Sequence, residues 1–281
     1  MGGLLAQSLR NSGILVTISD FRAVTGSSVF ADGYIECDVR LPSPALKSAL
    51  RSSDCVCICL PEAATVDAVA SVLPLMSNGS LWVDTVSVKS PLTLELQKRV
   101  GEYEILSINP MFAPALGWNK RSVAAVEICS GPKTRAFCAL MASWGAQVEN
   151  LTAIEHDQLT AAIQVATHAA ILAFGHALIH LNFDITKAVR LATPPHRLLL
   201  TVLHRLASQN SDVYWDIQAC HPLATVVRDK LADGIARLSR APGADGQEQF
   251  RKLFDQIESV LQSEVNALHE WSQELFTAPK T

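Results

Sequence analysis

The run 107–114, Ser-Ile-Asn-Pro-Met-Phe-Ala-Pro, is the first place in this sequence where side chains could do chemistry. Asn109 stands there as a lone polar side chain at a turn, with Pro110 and Pro114 fixing the backbone. The run follows a strand-like segment, 104–108, so it falls at a strand's carboxyl end, the edge where an open α/β sheet binds ligands. An asparagine amide donates and accepts hydrogen bonds but does not titrate. Glu155-His156-Asp157 has the composition of an acid–base cluster. Its carboxylates fall in a helix's first turn, where they complement the dipole, and that structural role is the better reading. His176 and His180 have the i, i+4 spacing of metal ligands, but no HExxH glutamate or carboxylate partner accompanies them, so no metal site is expected. His168 lies on the same apolar run, where a lone histidine is more often a satisfied core residue. Arg197 and Arg205 are eight residues apart, about two turns, on roughly one helix face.

The elements that must position these residues follow from the sequence rhythm. Strand patterns at 34–39, 54–60, 81–86, 104–108 and 123–129 alternate with helical ones at 62–75, 92–100 and 133–144, which implies a mostly parallel sheet. The opening reads as a helix with Leu5 and Leu9 one turn apart, a stop at Asn11-Ser12-Gly13, and a strand ending in Asp20. This is the second part of a dinucleotide-binding βαβ unit: Gly2 or Gly3 would close the glycine fingerprint, and Asp20 would take the ribose hydroxyls. The unit's first strand and earlier glycines are absent, and we expect the sequence to begin at an internal methionine or a trimmed boundary. Arg22 could favour a 2′-phosphate, but a solvated loop cation is its simpler reading, so NAD is expected, with NADP the alternative. Leu60-Pro61 ends a buried strand beside the expected cofactor.

From Ile154 strand signals stop and helices take over. The division is therefore residues 1–151, an α/β dinucleotide-binding domain, and 152–281, an all-α domain. The run 155–181 is apolar on nearly every face and should be buried on all sides; a dimer interface would do that where one small domain could not. Helices are expected at 196–208, 211–221 and 249–276, with a loop at 241–246.

Composition narrows the function classes. A chain of 281 residues, 49% apolar, can bury a full core. A net charge of −4 with dispersed lysines and arginines gives no reason to expect nucleic acid. Seven cysteines without a CxxC pair read as buried hydrophobes in a reducing cytoplasm, with Cys55, Cys57 and Cys59 on one side of a strand. The apolar run 159–181 is long enough to cross a membrane, but Thr160, Gln164, Thr167, His168, His176 and His180 interrupt it, so no span is expected.

Taken in order, 84–90 (Asp-Thr-Val-Ser-Val-Lys-Ser), 109–114, 155–158 (Glu-His-Asp-Gln), Ile163-Gln164 with His168, and Thr193-Pro194 through Arg197 and Arg205 to Gln209 resemble the prephenate dehydrogenase family over nearly the whole chain. The resemblance implies a Rossmann-like N-terminal domain, a helical dimerisation domain, a small dicarboxylate substrate, a homodimer and NAD. It implies hydride transfer from ring carbon 4 to the nicotinamide as carbon dioxide leaves carbon 1. It places Ser87 between catalytic residue, nicotinamide and substrate, Lys89 and Pro61 near the cofactor with Gly2, Gly3 and Asp20, and His168 facing the substrate. Arg205, with Arg197 and Gln209, would bind it; a bidentate guanidinium suits a carboxylate.

This chain departs from the family at Asn109, where the family carries its catalytic histidine in a His-Pro-Met-Phe-Gly-Pro type motif, and at Ala113, where it carries glycine. Asparagine cannot take a proton from a carbon-4 hydroxyl, a contribution of about 10²–10⁴-fold. An amine at carbon 4 has its own lone pair to push hydride out, and a neutral amide suits it better than a histidine that could become cationic. The expected substrate is therefore 4-amino-4-deoxyprephenate, oxidised to 4-aminophenylpyruvate. The alternatives are an ordinary prephenate or arogenate dehydrogenase, a non-catalytic ligand-binding homologue, and a β-hydroxyacid dehydrogenase or imine reductase. The 84–90 stretch and Arg205 argue against the last.

Overall fold

The computed structural model describes residues 1–22, 31–99, 101–182, 184–240 and 246–277. The expected loop at 241–246 lies outside the described residues except for Gly246, as does Val100 at the end of the helix expected over 92–100. Two compact units are present: residues 1–163 with 212–223, and 164–211 with 224–281. This differs from the boundary expected at 151/152, because the helix after that point buries His156, Asp157 and Thr160 within the first unit.

The first unit opens with α1 (Gly2–Asn11), which buries Leu5 and Ala6. Trp118 Nε1 donates to Ser8 Oγ at 2.8 Å and Trp144 Nε1 to Ser12 Oγ at 2.9 Å, anchoring the helix along the face that carries Leu5. Gly13, at φ +79°, turns the chain into β1 (Thr17–Asp20), which pairs in parallel with β2 (Gly33–Glu36) as a separate two-stranded sheet. Next comes α2 (Pro44–Ser52), which the strand-and-helix rhythm did not signal. Proline takes its first position and the Ser43 hydroxyl accepts from Leu46 N–H at 3.3 Å.

The remaining elements of this unit are β3 (Cys55–Ile58), α3 (Glu62–Ser71), β4 (Leu81–Asp84), α4 (Ser90–Leu96), β5 (Glu104–Pro110), β6 (Ser122–Cys129), α5 (Pro132–Ser143), β7 (Gln147–Asn150) and α6 (Ala153–Thr160). The five strands run β3-β4-β5-β6-β7, and only the β5–β6 pair is antiparallel. The sheet separates two apolar clusters. Trp82 and Ile105 pack on one face with Leu46, Val69 and Leu92, and Val83, Leu106 and Ile108 on the other with Leu5, Phe137 and Met141. Strand alternation then puts Asp84, Ser107 and Asn109 on the face opposite Val83, Leu106 and Ile108. Three polar residues are thus gathered near the carboxyl ends of two neighbouring strands.

Asn109 does not stand at a turn. It lies within β5 opposite Ala124, and Pro110 ends the strand opposite Val123. A proline is tolerated at that last position.

The second unit begins within a π-helical segment, residues 161–166. It contains α7 (Thr167–His180), α8 (Ile185–Leu191) and α9 (Pro194–Ala207). The next helix, α10 (Ser211–Cys220), belongs almost entirely to the first unit. The second unit resumes with α11 (Ala224–Arg240), α12 (Gly246–Leu261) and α13 (Val265–Thr277). The single terminal helix expected over 249–276 is interrupted by a 3₁₀ turn at 262–264. Within this unit α7 packs on α9, where a Cβ at Gly175 would come 2.8 Å from Leu203 Cδ1. Within one chain the run 155–181 is left partly exposed: α7 has no fully buried residue, and Ile179 is 75% exposed. The helical stretch Ala153–His180 is long and apolar enough to cross a membrane by length and composition.

Candidate active site

Asn109 is 3% exposed, and its amide nitrogen lies 3.1 Å from His156 Nε2. On its other side His156 Nδ1 lies 2.8 Å from Asp157 Oδ1. Asp157 Oδ1 also accepts from Lys89 N–H at 2.9 Å, and Oδ2 from Ser90 N–H at 2.8 Å. Burial pushes the Asp157 carboxyl up, but its hydrogen bonds to His156, Ser90 and Lys89 outweigh that and hold it at about 2. Burial pulls the His156 imidazole down, so the ring is neutral at neutral pH. An ionised carboxylate can only accept, so Nδ1 carries the proton and Nε2 offers a lone pair. Asn109 must therefore give its NH₂ to the histidine. Among the described residues its Oδ1 has no hydrogen-bond partner.

The expectation that Glu155 and Asp157 serve their own helix holds only for Glu155. Glu155 forms a capping box with Thr152, accepting from its N–H at 2.8 Å. Asp157 reaches 68 residues back to the first turn of α4, and its neighbour His156 meets Asn109. Sequence singled out this cluster but not its partners, because both lie on other elements.

Lys89, expected beside the cofactor, is wholly buried. Its Nζ donates to Val86 O and Ile108 O, each at 2.7 Å, and stands 3.8 Å from Asp84 Oδ1. The same carboxylate accepts from Trp82 Nε1 at 3.1 Å and from the Ser107 hydroxyl at 2.5 Å. Burial acts against both charges, pulling Lys89 down to about 8 and raising Asp84, while their mutual attraction works the other way. The group ties the end of β4 to the end of β5.

The loop carrying Ser87 has a second anchor that the sequence did not signal. Glu62 Oε1, at the start of α3, accepts from Ser87 N–H at 2.7 Å and Val88 N–H at 3.2 Å. The Ser87 hydroxyl has no hydrogen-bond partner among the described residues. Burial pushes Glu62 up to about 7, with Asp216 and Asp84 adding to it against the pull of Ser87 and Lys89. A folded pKa above the unfolded one means that this group's stabilisation is complete below about 4.5 and lost as pH rises through about 7. Glu62→Gln keeps an acceptor for both N–H groups and cannot ionise. Its Tm relative to the natural chain is expected to rise between pH 5 and pH 8, by roughly 1–3 kcal/mol of stability. An unchanged Tm difference across that range would reject the assignment.

The remaining residues expected at the cofactor also lie in the first unit. A Cβ on Gly2 would sit 3.2 Å from Cys59 Cβ, so the first turn of α1 abuts the carboxyl end of β3. A Cβ on Gly3 would meet nothing within 4 Å, and Met1 provides no side-chain cap for the helix's first amides. Asp20 ends β1 and is exposed, accepting from Arg22 N–H at 3.0 Å; the Arg22 guanidinium lies over the Phe21 ring, 4.9 Å from its centre. Pro61 is exposed at the start of α3. Uncapped helix amides, open space at a glycine and an exposed acidic residue ending a parallel strand fit a dinucleotide, whose pyrophosphate the amides would hold and whose ribose Asp20 would hold.

The other expected site residues belong to the second unit. Arg197 and Arg205 are exposed on α9, and neither has an ion-pair partner among the described residues. Gln209 is exposed just beyond that helix. His168, in the first turn of α7, is half-buried, which pulls its imidazole down. No group of three or more metal-ligating side chains occurs among the described residues.

Residues 152–256 match the family described as prephenate dehydrogenase, dimerization domain, and residues 1–128 match that described as NAD binding domain of 6-phosphogluconate dehydrogenase. The chain is 39% identical over 280 residues to a 4-amino-4-deoxyprephenate dehydrogenase from Streptomyces pristinaespiralis, covering 99% of this chain and 93% of the relative. It is 33% identical to the T-protein of Enterobacter agglomerans, over 76% of this chain and 57% of that one. Among solved structures it resembles a prephenate dehydrogenase from A. aeolicus in complex with hydroxyphenyl propionate and NAD+, with a TM-score of 0.72 at 16% identity and 94% coverage of both chains.

Proposed function

Because the chain belongs to the prephenate dehydrogenase family, NAD-dependent oxidoreductases that act on prephenate-type substrates, we propose that it oxidises 4-amino-4-deoxyprephenate to 4-aminophenylpyruvate. The observation that carries the substrate choice is Asn109, a non-titrating amide held by a neutral histidine where the family motif has its catalytic histidine. NAD, when bound, supplies the hydride acceptor. The hydride leaves ring carbon 4 with its electron pair. The pair from the breaking carbon 1–carboxylate bond enters the ring, and carbon dioxide departs as the ring becomes aromatic. Positive charge builds transiently on the carbon-4 substituent. An amine nitrogen carries it through its own lone pair, whereas a hydroxyl oxygen carries it poorly without a base to draw off its proton.

In this reading Arg205 takes a substrate carboxylate, Arg197, Gln209 and His168 also serve the substrate, and Ser87, on the loop held by Glu62, would serve the nicotinamide. The reading places the enzyme in the cytoplasm, where its seven cysteines remain the free thiols seen here. It also makes the protein a homodimer through the helical unit, which would cover exposed side chains such as Ile179, Leu181 and Leu191. Light scattering should give the mass of two chains.

The test is NAD reduction on the amino and hydroxy substrates side by side. The expected result is a preference for the amino substrate of at least about 10²-fold, with Asn109→His shifting turnover toward prephenate. Equal or better turnover of prephenate by the natural chain would overturn the substrate assignment.

A further inference from the structure

We propose that Asp157 and His156 are positioning residues that fix the rotation of the Asn109 amide, so that its Oδ1 is the atom presented to the substrate's carbon-4 amine. The inference rests on the amino substrate proposed above and adds which end of the amide meets it. Asparagine has two ends of nearly equal shape and opposite hydrogen-bonding sense, so geometry alone cannot choose between them. Here the choice is made from behind. Backbone N–H groups of Lys89 and Ser90 hold Asp157 in place, its Oδ1 takes the His156 Nδ1 proton at 2.8 Å, and the bare Nε2 faces Asn109 at 3.1 Å. Were Asn109 turned over, two lone pairs would face each other across that 3.1 Å gap in a buried site. His156 is 0% exposed and Asn109 3%, so no bulk water relieves that contact.

The direction matters for the reaction. An amide NH₂ aimed at the amine would donate into its lone pair, the pair that must move toward carbon 4 as hydride leaves. Oδ1 accepts an N–H instead, which leaves the lone pair free. It strengthens its hold as that N–H gains positive character, so the interaction is greater in the transition state than before it. The Asp157–His156 pair touches neither substrate nor cofactor in this account; it acts through Asn109.

The rotation can be read without substrate. In the full chain labelled with ¹⁵N at histidine and asparagine, His156 should show a protonated Nδ1 and a bare Nε2, with scalar coupling from Nε2 to the Asn109 side-chain nitrogen. A protonated Nε2 would overturn the proposal whatever the substrate. Kinetics then separate positioning from mere support. His156→Phe should lower kcat on 4-amino-4-deoxyprephenate about 10–100-fold with KM within about threefold, and His156→Gln, which returns an acceptor, should recover most of it. In an Asn109→Ala background His156→Phe should cost nothing further, and losses that simply multiply would overturn the proposal. A natural chain that fails to oxidise the amino substrate at all would reject the substrate reading, while the nitrogen spectrum would still decide the positioning.

Discussion

Arg205→Ala is expected to lower kcat/KM on the dicarboxylate substrate about 10²–10³-fold, chiefly through KM. Truncating one partner of a desolvated, hydrogen-bonded charge pair typically costs about 2–5 kcal/mol, which brackets that range. Arg205 suits the test because it is exposed in the last turn of α9 and has no carboxylate partner among the described residues, so its removal breaks no internal ion pair. Thermal stability should stay within about 0.5 kcal/mol of the natural chain. Arg205→Lys keeps the charge but loses the planar fork, and should recover only part of the loss. Arg197→Ala, two turns earlier on the same helix, is the internal comparison and should lose less. A KM for Arg205→Ala within about threefold of the natural value would remove the residue from the site.

How far the sequence carries depends on whether the signal is local. The passage from alternating strands and helices to helices alone is written in hydrophobic period, and it was legible from Ile154 onward. The two-residue alternation that places Asp84, Ser107 and Asn109 on one face is equally local. What escaped was long-range. β7, Gln147–Asn150, is mostly polar and largely exposed, so nothing in its composition marks a strand; it forms because β6 offers a parallel edge. Asn109 looked like a turn residue because Pro110 follows it, yet the antiparallel neighbour β6 extends β5 through both. Glu155-His156-Asp157 was visible as a cluster, but a helix's first turn was a sufficient local account of it. Only the fold shows that Asp157 caps α4 and that His156 reaches Asn109. Glu62 gave no signal at all, since its partners Ser87 and Val88 are 25 and 26 residues away.

Lys89 shows the same limit, and its replacement should have the largest effect on stability. The family resemblance places Lys89 near the cofactor, with a solvated lysine the simpler expectation. In the fold its ammonium is 0% exposed and occupied by Val86 O, Ile108 O and Asp84. Lys89→Met preserves the length of the stem, removes the charge, and leaves two carbonyls without their donor and a buried carboxylate without its counter-charge. Removing one partner of a buried pair costs about 3–5 kcal/mol, because the remaining charge is uncompensated. In a chain of this size that corresponds to a fall in Tm of about 5–8 °C. Asp84 is expected to answer by taking up a proton, since burial already raises its pKa against the pull of Lys89. Asp84→Asn added to Lys89→Met should therefore recover part of the loss, whereas independent effects would add. The two roles for Lys89 predict different measurements. If the ammonium is a structural tie, calorimetry without cofactor shows the full drop in Tm. If it is instead a cofactor ligand, the Tm of the cofactor-free protein stays put and the Kd for NAD rises. The hydrogen bonds favour the first outcome, because one closes the loop after β4 on itself at Val86 O and the other ties it to β5 at Ile108 O.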